Sequence, residues 1–303
     1  MIDKLRANHP NVVLVDCGDT YAREYNHPQL RADAVLSGMK LMNYDAVNIG
    51  EGELSLGAEY FRQQARGKNL PFISANITVA GDTAPMGPAY VIKIVKGLKV
   101  GITGISGAAF FDAAKVKAEG VVIEDPLKRL NAVVTELRNN KVDVVILLSH
   151  LSYEGTKSLL TLNTVEGVDV AIAGHGNKML SIPEKIGNTV LVQNSMIGEY
   201  LGKLQVRIGK DGKIAGYEGE LIELTEDQPS NPDAFAIMQA FLSDKVKEDE
   251  RLRAEKAQKK QSEENGEVLK MSPGEFMEMM KKKNAEEMQK SGFSGGAPPG
   301  KQP

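Results

Sequence analysis

The chain is poor in several things that would have fixed its class at once. Its 303 residues include one cysteine, Cys17, which excludes a disulfide framework and any cysteine-based zinc or iron–sulfur cluster. Charge of one sign is not in excess: 37 Lys and Arg face 40 Asp and Glu, a formal net charge of -3. With no surplus of cations to displace counterions from phosphates, there is no electrostatic case for nucleic acid as a partner. No apolar run approaches the roughly 20 residues that a membrane span needs. The opening MIDKLRANHPN lacks the basic-then-apolar pattern of a secretion signal. As written, such a chain is expected in the cytoplasm, or in the periplasm or cell envelope if its N-terminus is truncated.

What is present is uneven along the chain. Residues 1–225 carry short β-branched runs punctuated by Gly, Asn and Asp, enough for one sizeable core. Residues 226–264 read as a charged helical extension, and 265–303 as a low-complexity, largely disordered tail ending SGFSGGAPPGKQP. From residue 245 onward 13 basic residues meet 11 acidic ones, so the tail is +2 and the body -5. Met277, Met279 and Met280 before a lysine run suit either a protein-partner groove or an ordinary amphipathic helix.

Within the body, NVVLVD (11–16), DAVNIG (45–50), PFISAN (71–76), VDVVILLSH (142–150) and VDVAIAGH (168–175) read as buried strands. Helix-length segments lie at Gln29–Met42, Leu54–Lys68, Pro126–Asn140 and Tyr153–Asn163. This alternation predicts crossover units and a mostly parallel sheet. VIKIVKGLKVGITGI and LGKLQVRIGKDGKIAGYEGELIEL predict hairpins bending at Lys96–Gly97 and Lys210–Asp211–Gly212. The fold class is therefore α/β, with a second sheet packed against the first.

Ligands in such folds collect at the carboxyl ends of strands. Four of the expected strands end in groups suited to a divalent metal: Asp19 after the first, Glu51 and Glu53 after the second, then Ser149–His150, and Gly174–His175–Gly176–Asn177. Each has a plainer reading. Asp19 and Asn177 suit turns, His150 and His175 suit satisfied structural histidines, and Glu51 and Glu53 suit the first turn of a helix. Cys17 reads as a small core residue with no activating histidine beside it, and His9 and His27 as incidental. The joint occurrence, in order and at strand ends, favours a metal site.

These segments, together with LPFISANI and NTVLVQNSMIGEYLGKLQV, resemble the catalytic domain of the 5′-nucleotidase branch of the calcineurin-like metallophosphoesterases over about residues 10–210. The resemblance implies a four-layer α/β/β/α sandwich with mixed sheets and a two-metal site that hydrolyses phosphate esters. Asp19 then matches the metal-bridging Asp of the family's Gly-Asp motif. His150 matches the ligand of its Ser-His motif, His175 the first histidine of Gly-His-x-His, and Glu53 the supporting acid of Gly-Asn-His-Glu. Three positions depart: Glu51 replaces the Asn ligand, Gly52 the catalytic His, and Asn177 the second His. The family's Asp-x-His strand is absent, and residues 1–9 read as the end of the helix that follows it. The implied site is a relic holding one Zn, Mn or Fe ion on Asp19, Glu51, His150 and His175, with Asn177 a further ligand candidate. The implied substrate is a small phosphate ester or nucleotide. The alternative is an inactive member acting as a metal-, phosphate- or protein-binding module.

Overall fold

A computed structural model describes all residues except 22–25, 81–85, 163–164, 195–197, 230, 269 and 291–303. It divides into two compact units, Met1–Leu242 and Ser243–Pro303. The first is built on two sheets. One is three-stranded and parallel, ordered β1 (Val15–Asp16), β2 (Ala46–Asn48), β3 (Phe72–Ile73). A two-stranded antiparallel ladder joins β4 (Ile77–Val79) to β7 (Val121–Ile123). The other main sheet has six strands. Its members are β5 (Tyr90–Val95), β6 (Leu98–Ser106), β8 (Val144–His150), β9 (Val170–Ala173), β10 (Glu184–Ile186) and β11 (Thr189–Gln193), in the order β10-β11-β9-β8-β6-β5. β6, β8, β9 and β11 run parallel, and each edge is an antiparallel hairpin strand.

Strand alternation assigns the layers. Odd residues Val13, Val15 and Cys17 meet even residues Val144, Ile146 and Leu148 of β8, and Ala46, Ile73, Val100 and Ile102, in a core between the two sheets. The opposite face of β8, Val145 and Leu147, packs on α6 (Pro126–Asn139) and α7 (Ser152–Thr161) through Leu130, Val133, Val134, Leu137, Tyr153 and Leu160. Val47, Ile49 and Phe72 turn the other way, onto α2 (Pro28–Met42) and α4 (Ala58–Lys68) at Leu36, Met39 and Phe61. The result is the four-layer α/β/β/α sandwich. The same alternation that sends Val144, Ile146 and Leu148 inward sends His150, the last residue of β8, toward the loop after β1.

Local chemistry accounts for the elements. α6 starts at Asp125, whose carboxylate accepts from Lys128 N at 2.7 Å, with Pro126 in the first turn. Its buried residues fall at i, i+3, i+4 and i+7. Lys96 and Gly97 both have positive φ, 53° and 84°, as a two-residue turn twisted to match its strands requires. The second hairpin is β12 (Tyr200–Ile208) with β13 (Ile214–Glu223), paired only to each other among the described strands. The strand expected over residues 11–16 keeps ladder pairing only at Val15–Asp16.

Two differences concern the C-terminal part. The first compact unit runs past the composition change at Thr225 to Leu242. Asn231 Nδ2 donates to Asp3 Oδ2 at 3.1 Å and the Arg31 guanidinium lies over the Phe241 ring, which ties this stretch to the body. α8 (Pro232–Val268) covers the charged extension. Pro273–Lys290, inside the stretch whose composition suits a largely disordered tail and whose methionines suit an amphipathic helix, forms α9. Its start is fixed by Ser272, whose N–H and hydroxyl both donate to the Glu275 carboxylate at 2.8 and 2.7 Å. The Gly/Pro/Ser end from residue 291 lies outside the described residues. None of the described helices is long and apolar enough to cross a membrane.

Leu148 is fully buried between the sheets. Leu148→Ala is expected to lower the unfolding free energy by about 2–5 kcal/mol, read from a urea titration; a loss well under that range would mean the two sheets are not tightly packed there.

Candidate metal centre

Two loops at the carboxyl ends of β1 and β2 bring the acidic groups together. Gly18 (φ 99°) and Asp19 (φ 62°) both take the left-handed conformation, one that Gly adopts freely and Asp tolerates better than most residues. After β2 the chain enters α3 (Glu51–Leu54), a single turn capped at Gly50. The tie between the loops is Glu53, which has no solvent exposure. Its carboxylate accepts from Asp19 N (2.9 Å), Thr20 N (2.8 Å), the Thr20 hydroxyl (2.7 Å) and Gly50 N (2.7 Å). Burial, with Asp19 nearby, pushes the Glu53 pKa up to about 7, against the pull of these donors.

The histidines arrive from the other sheet. His150 ends β8, and its Nδ1 lies 2.9 Å from the carbonyl oxygen of Cys17. A carbonyl only accepts, so Nδ1 carries a hydrogen and Nε2 faces the acids. That Nε2 is 2.8 Å from Glu51 Oε2 and 3.3 Å from Asp19 Oδ2. His175 follows β9 at φ 59° beside Gly176, with Nδ1 2.9 Å from Glu51 Oε1 and 3.7 Å from Asp19 Oδ2. One ligand atom from each of Asp19, Glu51, His150 and His175 lies within 4.8 Å of the others. Burial alone would lower the His150 pKa, but Asp19 and Glu51 outweigh it and carry it up to about 10. The reciprocal pull of His150 overcomes burial at Asp19 and holds that carboxyl below the ordinary range.

Of the residues singled out in sequence, these four converge and Glu53 braces them. Asn177 is exposed, two residues beyond His175. Gly52 has a different meaning in three dimensions. Its N–H donates to Asp19 Oδ1 at 2.6 Å, and a Cβ built on it would lie 2.2 Å from the Tyr21 carbonyl oxygen. The backbone after β1 therefore occupies the space where any side chain at 52 would begin.

Sequence reasoning missed several contributors. The Cys17 carbonyl orients His150, while its thiol donates to Ile172 O at 3.2 Å, as suits a core residue. Gln193, at the end of β11, donates from Nε2 to Gly176 O at 3.2 Å and steadies the His175 loop. Phe110 stacks on His175 with ring centroids 3.7 Å apart. The only signal for Phe110 was an aromatic pair after a strand; for a backbone carbonyl there is none.

The human 5′-nucleotidase is 28% identical to the chain over 254 residues, which span 76% of this chain and 44% of that protein. The solved 5′-nucleotidase precursor of Thermus thermophilus superposes with a TM-score of 0.70 at 24% identity, over 80% of this chain and 51% of that one. Calcineurin-like phosphoesterase YfkN from Bacillus subtilis gives a TM-score of 0.67 at 22% identity, over 81% and 87%. The chain belongs to the 5′-nucleotidase branch of the calcineurin-like metallophosphoesterases. It spans less than half the length of the curated 5′-nucleotidase relatives it matches, so the match is to a catalytic domain. Scanned against models of protein families, it matches none. At these identities the two solved structures speak for the metallophosphoesterase fold alone.

Two outcomes test this geometry. The folded state binds the His150 proton more tightly than the unfolded chain does. In the metal-free protein that stabilisation is complete below the ordinary histidine pKa near 6.5 and is lost as pH rises toward about 10. His150→Ala should flatten this alkaline fall in melting temperature, and an unchanged profile would contradict the paired imidazole. Gly52→Ala should cost about 1–3 kcal/mol by overpacking, and a neutral substitution would mean that the loop over Gly52 is free to retreat.

Proposed function

We propose that the chain is a metal-dependent phosphoric ester hydrolase acting on small phosphate esters of nucleotide type, through one divalent ion held by Asp19, Glu51, His150 and His175. The observation that carries this reading is the convergence of those four ligand atoms within 4.8 Å. Two imidazoles and two carboxylates suit Zn²⁺, Mn²⁺ or Fe²⁺. The donor set fits in detail, because the Cys17 carbonyl fixes the His150 tautomer that turns a lone pair on Nε2 inward once its second proton leaves. An ion bound here supplies Lewis-acid charge for a phosphoryl oxygen and for an attacking water.

The remaining steps fall to the chain itself. Glu53 keeps Asp19 and Glu51 on one side of the site while the ends of β8 and β9 present the histidines on the other. Asp19 has one oxygen engaged by the Gly52 N–H and turns only Oδ2 toward both imidazoles. This supports a single ion rather than a bridged pair. Gly52 offers no group to protonate a leaving oxygen, and losing a general acid commonly costs about 10²–10⁴-fold. Slow turnover with good leaving groups is the expected behaviour. The name of the human relative supports a nucleotide-type substrate.

A second reading, a non-catalytic binding module, is favoured by one observation: the Tyr21 carbonyl closes the place from which a catalytic side chain at position 52 would act. Aryl phosphate hydrolysis with added Mn²⁺, run beside metal analysis of the purified full-length chain, separates the two. One ion per chain and a rate lost in His150→Ala support the hydrolase. One ion with equal background rates in both proteins supports the module. No ion, or two, would overturn the single-ion site.

A further inference from the structure

The two imidazoles of the cluster are held by different means. The His150 side chain is 1% exposed and its ring is pinned by the Cys17 carbonyl. The His175 side chain is 31% exposed and sits in a loop, at positive φ. The contacts described for its ring are those of Nδ1 with the two carboxylates, the edge of His150 and the face of Phe110. The Phe110 and His175 planes are 24° apart with centroids 3.7 Å from each other, and Phe110 also meets His150 edge-on at 6.1 Å. Phe110 is itself braced. It packs on the core beneath the three-stranded sheet, and a Cβ at Gly107 would lie 3.1 Å from its ring.

We propose that Phe110 is the positioning residue for His175: its ring face fixes the imidazole rotamer that aims Nδ1 at Glu51 and Asp19. The inference rests on the metal-site reading above for its consequence, though not for the ring order itself. An imidazole bound to a cation becomes electron-poor, and an aromatic face favours such a partner. Among the described residues no hydrogen-bonded partner orients His175 from the far side of its ring, so another source of order is needed, and loss of such outer support commonly costs about 10–100-fold in metal affinity. Sequence reading could not reach this pairing, since residues 110 and 175 meet only because β6 and β9 flank β8 in the sheet.

The test uses the full-length chain as Phe110→Tyr, Phe110→Leu and Phe110→Met, with imidazole NMR on the metal-free proteins and Mn²⁺ affinity by calorimetry. His175→Ala and His150→Ala assign the ring signals. In Phe110→Leu and Phe110→Met the His175 ring signals should broaden or average while those of His150 stay, with Mn²⁺ affinity falling about 10–100-fold. Phe110→Tyr should keep both properties. Wild-type His175 signals in both aliphatic variants would overturn the proposal, as would an equal loss in Phe110→Tyr. Failure of the wild type to bind Mn²⁺ would defeat the metal reading, and the metal-free NMR comparison would still decide the role of Phe110. Two aliphatic variants of different shape keep the comparison open should one fold poorly.

Discussion

A carboxylate without solvent exposure holds this site together. Glu53 draws four donors from two separate loops, and a buried carboxylate that lost them would be left with a large desolvation penalty. The loop after β1 and the turn after β2 must therefore stay in register. Asp19 and Glu51, two acids whose like charges oppose close approach, ride on those two segments. The histidines relieve the repulsion from the opposite sheet, each within ion-pair distance of both acids. Without an ion a proton on His150 does part of this work, which is why its affinity for that proton is raised.

The sandwich supplies the second constraint. The inner core between the sheets sets their separation, and the alternation of β8 sends its final side chain across that gap. His150 then meets a backbone carbonyl of the first sheet, so the same packing that buries Val144 and Leu148 also selects an imidazole tautomer. Gly52 belongs to this logic. It is the point where the loop after β1 lies directly on the turn after β2, and its N–H takes one of the two Asp19 oxygens. At position 52 the backbone itself fills the space in which a side chain would begin.

Much of this was legible in the residues. Short β-branched runs separated by helix-period segments set out the parallel strands and their crossovers, and Gly97 marked its hairpin as a residue that takes positive φ freely. The polar ends of the strands marked Asp19, Glu51, His150 and His175, because ligand groups beside glycines at strand termini are a local pattern. Where reading failed, the cause was non-local. The short pairing of β1 depends on which neighbour it meets in the three-stranded sheet.

By itself, the order of residues determined the α/β class, the strand ends that carry chemistry, and the identity of four candidate ligands, since each follows from period, turn chemistry and ligand type over a few neighbouring positions. Only the tertiary structure decided that those four meet in one place, that Glu53 is a brace, and that Phe110 faces His175. These depend on strand order and on the spacing of two sheets, which are set by packing among residues far apart in the chain.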